Sequence, residues 1–235
     1  MDDHMESGPA SASWRLDALF VRGAKRRRII AAIHAGRLRE VARMELLAPA
    51  QLRGLAQMGL ILLMASGAVF LALQTIARSV QHVPLLPGSG SPLVVLGLIA
   101  GSLLAYAAIL PLHEGVHALI ILLLGGRPTF GLKLPLAAYC TAPGQLFTRN
   151  GYAAVALAPL ILLSLAGIVL IWLAPNVAAY TLFGLAGNVS GAVGDLAAAR
   201  RTLALPSDAL IADTATGFIA YVADGSPSRA PEPAE

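Results

Sequence analysis

Four long runs of apolar residues dominate the chain, at about 55–77, 93–124, 152–174 and 178–199. About 20 apolar residues cross the hydrocarbon of a bilayer as a helix, so each run predicts a membrane span. The second run is too long for a straight crossing. At 1.5 Å per residue it would reach roughly 48 Å, so either its start belongs to the preceding loop or it bends, with Pro111 as the expected kink. Gly97 and Gly101 give it a small-residue face suited to close helix packing. The third run contains Pro159. The fourth is rich in glycine, and Gly191 and Gly194 are expected to bring it close to the second. Between the second and third runs the pattern changes. Gly125-Gly126 closes a helix, then Phe130, Leu132 and Leu134 alternate with Gly131 and Lys133, and Pro143-Gly144 reads as a turn, which together predict a short hairpin-like loop beside the membrane.

Outside the spans the pattern is weaker. Residues 1–13 are polar and predicted to be disordered. Residues 14–53 interleave Leu, Ile and Val with Arg22, Lys25, Arg26, Arg27, Arg28, Arg37, Arg39 and Arg43, which predicts one or two amphipathic helices on the membrane surface. After the fourth span, residues 217–222 read as a strand in a soluble tail. The fold expected is an all-α polytopic membrane protein of about four transmembrane helices. It has a cytoplasmic start (1–54), a transmembrane core (55–201) and a C-terminal tail (202–235).

Composition agrees. Of 235 residues, 57% are hydrophobic and 13% charged, and a globular chain carries roughly twice that charge. Mean hydropathy is +0.71. The formal charge of +4 is mostly arginine flanking the apolar runs, which points to lipid headgroups and topology rather than to nucleic acid. Arg and Lys crowd before the first span, between the second and third and after the fourth, so both termini are expected in the cytoplasm, with the chain a multi-pass protein of a bacterial cytoplasmic membrane. One cysteine, Cys140, excludes an internal disulfide and a cysteine-rich zinc site.

The chemistry lies in the second run, where His113-Glu114-Gly115-Val116-His117 interrupts an otherwise apolar sequence. Histidines four apart share one face of a helix and can hold one metal ion, with a glutamate beside it. Ionisable groups in a span cost roughly 2.5–3.5 kcal/mol each on insertion scales, so their presence signals a use. A catalytic zinc site needs a third protein ligand and an open position. Asp195 is the other acidic residue within the spans, so the expected ligands are His113, His117 and Asp195, with Zn2+ as the metal and Cys140 as the alternative donor. Glu114 is expected to take a proton from the water that the metal activates and pass it to the leaving amine. Asn188, seven residues before Asp195, is a candidate for contact with the substrate backbone or oxyanion, or for a hydrogen bond between helices. Lys133 and Tyr139 read as interface anchors.

These residues carry a resemblance. The His-Glu-x-x-His element in a span, the hairpin-like loop, Pro159 in the next span, and Asn188-x-x-Gly191-x-x-Gly194-Asp195 resemble the membrane zincin peptidase family, long catalogued as a domain of unknown function. They are more distantly similar to the site-two proteases, in which a Leu-Asp-Gly motif supplies the third ligand; here the stretch is Gly194-Asp195-Leu196. The resemblance spans roughly residues 50–225. It implies a zinc protease that cuts membrane proteins or peptides within or beside the bilayer, with the 127–150 loop pairing with substrate as an added strand. Competing readings from the residues are a metal transporter or sensor using the same ligands, and a catalytically silent scaffold. Oligomeric state is not legible.

Overall fold

The computed structural model describes residues 14–17, 23–46, 48–84, 91–133, 137–214 and 216–223. The expectation of disorder at residues 1–13 and the last residues of the tail lie outside these. Among the described residues six helices and six strands follow one another as α1 (Gly23–His34), β1 (Leu38–Glu45), α2 (Pro49–Val80), α3 (Pro92–Leu123), β2 (Thr129–Lys133), β3 (Ala137–Thr141), β4 (Leu146–Thr148), α4 (Arg149–Leu173), α5 (Pro175–Gly191), α6 (Val193–Leu203), β5 (Leu210–Thr214) and β6 (Gly217–Ala223).

Among the described residues four helical segments are long and apolar enough to cross a membrane: α2, α3, α4, and α5 with α6 taken together as Pro175–Leu203. They correspond to the four expected runs. Many large apolar side chains on them are exposed, among them Leu60, Met64, Leu93, Leu104, Leu123 and Leu173. Such surface suits hydrocarbon rather than water. Helix α3 runs unbroken through Pro111. It stops where Gly125 takes a positive φ of 81° and the N–H of Gly126 bonds back to the carbonyl of Ile121, a left-handed glycine cap.

The all-α expectation holds in part: the chain is mostly helical, but the described residues also form two antiparallel sheets. The chain divides into two compact units. One unit comprises Met1–Leu46, Ala118–Val155 and Ala198–Glu235. Within it β1, β6, β5 and β4 form an antiparallel sheet in that order. Period-two alternation puts the two sets of side chains to work on opposite faces. Ile211, Phe218, Ala220 and Val222 pack with Ile121, Phe147, Tyr152, Val155 and Ala198. Leu210, Ala212 and Tyr221 pack with Ile29 of α1 and with Trp14. The second helix expected within residues 14–53 is therefore strand β1, paired with β6 from Leu38↔Ala223 to Glu45↔Gly217 across a bulge at Glu40/Ala42. Its physical reason is the tail: β6, expected as a strand, offers a ladder that a lone surface helix would not satisfy. The expected hairpin is present as β2 and β3, in register from Thr129↔Thr141 to Lys133↔Ala137, with Phe130 and Leu132 exposed.

The other unit comprises Leu47–His117 and Ala156–Ala197. Its apolar core joins Phe70 and Ala77 of α2, Ile171 of α4, and Ala178 and Leu185 of α5. Close approach of α5 to α3 depends on glycine. A Cβ on Gly184 would lie 3.0 Å from the carbonyl oxygen of Ala105, and one on Gly187 would run into the Tyr106 ring. Gly101 lies against Tyr180, whereas Gly97 and Gly191 face open space. The small residues that matter are thus Gly101, Gly184 and Gly187, and the expectation for Gly191 is not met.

The β1–β6 pairing yields a prediction. A Cβ on Gly217 would overlap the backbone carbonyl of Met44. Gly217→Val should lower stability by about 1–3 kcal/mol through overpacking, read as a lower thermal midpoint in detergent. An unchanged midpoint would refute the pairing.

Candidate metal centre

His113 and His117 lie one turn apart on α3, as their spacing requires, and both are buried, each 8% exposed. Their ring centroids are 4.9 Å apart. The third group comes from the fourth apolar run, which is not one regular helix. It breaks at Ala192, between α5 and α6, and Asp195 falls in the first turn of α6. Backbone N–H groups there lack helical partners and carry the positive end of the helix dipole, so a carboxylate is favoured in that turn.

The three side chains converge. His113 Nε2 lies 2.9 Å and His117 Nε2 3.5 Å from Asp195 Oδ2. One ligand atom from each lies within 4.8 Å of the others. Donors held about 2.0–2.1 Å from one tetrahedral ion would be separated by roughly 3.3 Å, so the observed spacing fits a single small cation. Among the described residues this is the one group of three His, Cys, Asp or Glu side chains gathered in this way, and Cys140 is not in it.

Asn188 explains how the first imidazole is set. Its Nδ2 donates to the carbonyl of Pro159 at 3.4 Å, and that carbonyl can only accept. The amide oxygen is thereby turned toward His113, whose Nδ1 is 3.0 Å away. Oδ1 also can only accept, so the proton of that bond belongs to Nδ1. Nε2 faces the Asp195 carboxylate. It can donate to it as an imidazolium or, without its proton, share a cation with it, and a metal ion would satisfy His113, His117 and Asp195 together. Asn188 is 2% exposed and ties α3, α4 and α5 at one point. The sequence singled out Asn188 and Pro159 separately; their bond to each other carried no sequence signal.

Glu114, half-buried, follows His113 on α3 and so points about 100° around the helix from it. It stands outside the gathered donors. His34 ends α1 and His82 lies just past the end of α2 with φ of 54°; neither is in the group.

A family model described as "Putative zincin peptidase" matches residues 106–210, a little under half of the chain. The match contains His113, Glu114, His117, Asn188 and Asp195, and it agrees with the resemblance read from the motifs. The more distant likeness to site-two proteases rests on the motif residues alone. No curated protein and no solved structure matches the chain.

If Asn188 holds the ring of His113, its loss should act on metal affinity. Partners of this kind contribute about 10–100-fold. Asn188→Leu is expected to weaken zinc binding by about that factor in a competition titration, Asn188→Asp to restore most of it, and Asp195→Ala to abolish it. Equal affinity for Asn188→Leu and wild type would remove Asn188 from the site.

Proposed function

We propose that this chain is a zinc-dependent endopeptidase that hydrolyses peptide bonds of membrane-associated proteins or peptides, within the bilayer or beside it. The observation that carries this reading is the convergence of His113, His117 and Asp195 in helices long and apolar enough to span a membrane, with Glu114 adjoining. The match to a zincin peptidase model over the same residues supports it. Two imidazoles and one carboxylate are a donor set that zinc favours, and three protein ligands leave a position open for chemistry.

Zinc, when bound, supplies Lewis acidity that acidifies water and polarises a carbonyl. The chain's own groups do the rest. Glu114 accepts a proton from the attacking water as the new C–O bond forms at the scissile carbonyl. It delivers that proton to the amide nitrogen as the C–N bond breaks, so the products are a carboxylic acid and an amine. Asn188 holds His113 in the tautomer that leaves Nε2 free for the metal. Asp195 supplies the negative charge that retains a divalent ion in an apolar setting.

The bilayer is the medium in which the enzyme is proposed to work. The arginine distribution supports both termini in the cytoplasm, and the Ala/Leu/Arg-rich usage supports the cytoplasmic membrane of a bacterium. A transporter or sensor would need polar groups strung across several spans; the metal donors here sit at one depth, and Glu114 is a proton carrier with no part in ligation.

Glu114→Gln tests the mechanism. General base catalysis contributes about 10²–10⁴-fold, so cleavage of a membrane-inserted peptide library should fall by at least that factor. Zinc content by elemental analysis should stay at the wild-type value. Retained cleavage would overturn the role of Glu114, and loss of zinc with activity would make it a ligand instead.

A further inference from the structure

At the far end of the same unit is a cavity of about 530 Å³ between α2, α3 and α5. Leu71, Leu98, Leu103 and Leu182 give it apolar walls, and Gln74 and Arg78 stand at its polar side. Ser102, also in its lining, precedes His113 by eleven residues of α3, about 16 Å. The cavity is thus distinct from the metal centre.

Its polar residues are unusual. Arg78 is 1% exposed. Its guanidinium donates to the carbonyls of Pro84 and Pro175 and to Oδ1 of Asn176, all neutral acceptors. A guanidinium has five N–H groups, and these bonds use three. Among the described residues no carboxylate pairs with it. A buried charge without a counter-charge is costly, and Arg suits a two-pronged grip on phosphate. Gln74, 4% exposed, donates from Nε2 to Pro175, but its Oε1 has no partner and needs a donor.

We propose that this cavity binds one anionic glycerophospholipid whose headgroup carries a hydroxyl, with the phosphate on Arg78, the hydroxyl on Gln74 and an acyl chain along Leu71, Leu98 and Leu103. Three observations select this occupant. The ligand must supply both a negative charge and a hydrogen-bond donor. Arg78 lies in the last turn of an apolar helix of 32 residues, about 48 Å long against a hydrocarbon core of about 30 Å, so it sits at headgroup depth. The space is also too small for a substrate helix. A helix about 10 Å across would use up 530 Å³ in roughly 7 Å of its length, whereas pockets of about 300–1,000 Å³ suit a small ligand.

The test uses the full chain in detergent, with phosphatidylglycerol, phosphatidylcholine, phosphatidic acid and oleate as probes. Native mass spectrometry and thermal unfolding read the binding. One phosphatidylglycerol per chain is expected, at least tenfold tighter than phosphatidylcholine. Leu103→Trp, which fills the cavity, should abolish it, and Leu98→Phe serves where that variant fails to fold. Gln74→Leu should remove the preference for phosphatidylglycerol over phosphatidic acid, which lacks the headgroup glycerol. Equal binding of phosphatidylglycerol and phosphatidylcholine, undiminished binding by the filled variants, or oleate binding as tightly as phosphatidylglycerol would overturn the proposal.

Discussion

Two imidazoles and a carboxylate must be brought together among apolar helices, and the rest of this unit answers that demand. Each ionisable group alone would cost roughly 2.5–3.5 kcal/mol in a bilayer. Together they offset one another, because His113 and His117 meet Asp195 at 2.9 and 3.5 Å and a cation can satisfy all three. The groups come from helices far apart in sequence, so the site exists only if α3 and the α5–α6 segment are held at one separation. Gly184 against Ala105 sets it, two turns along α3 from His113.

Helix α2 supplies none of these donors, yet it controls where they lie. It bonds to α5 at both ends and in the middle. Gln74 and Arg78 donate to the carbonyl of Pro175, Ser66 reaches the carbonyl of Ala186, and Ser190 donates to that of Gly59. Interhelical hydrogen bonds in membranes contribute about 0.6 kcal/mol each on average, more in good geometry. Their value here lies in register as well as energy. Hydrogen bonds are directional, whereas apolar packing tolerates a sliding helix. With Pro175 and Ser190 both fixed, α5 cannot shift by a turn, and Asn188 stays opposite His113.

How much of this was legible depended on the range of each signal. The spans were readable because an apolar run is a local property. The gathering of His113, His117 and Asp195 was readable because ionisable residues stand out in an apolar run. The hairpin announced itself through the alternation from Phe130 to Leu132, whereas the expected turn at Pro143-Gly144 falls after it, between β3 and β4. Strand β1 did not. Its eight residues hold four charged ones, and its partner β6 lies more than 170 positions downstream. Basic residues mixed with Leu, Ile and Val suit a surface helix as well as an edge strand, and only the distant ladder decides. The glycines were misleading for a related reason. Many lie in α3, α5 and α6, but Gly184, Gly187 and Gly191 fall within about 60° of one another around α5, so which of them meets α3 depends on where along α5 the two helices come together, which no local pattern records.

The spacing of Asn188 and Asp195 shows how one segment performs two tasks on one ring. In a regular helix seven residues are almost two full turns, and although the segment breaks at Ala192 both side chains still reach the same imidazole. Along the axis they are about 10 Å apart. The imidazole of His113 lies between them, with Nδ1 on Asn188 at 3.0 Å and Nε2 on Asp195 at 2.9 Å. Those two bonds and the width of the ring take up most of that distance. A spacing of three or four would place both groups at one end of the ring, and eleven would overshoot it. The break at Ala192 falls between them, which frees backbone N–H groups at the start of α6 beside Asp195 and leaves Asn188 in the regular last turn of α5. The neutral amide thus takes one nitrogen, and the carboxylate, favoured by the new helix start, takes the other, whose lone pair would go to a metal in the proposed enzyme.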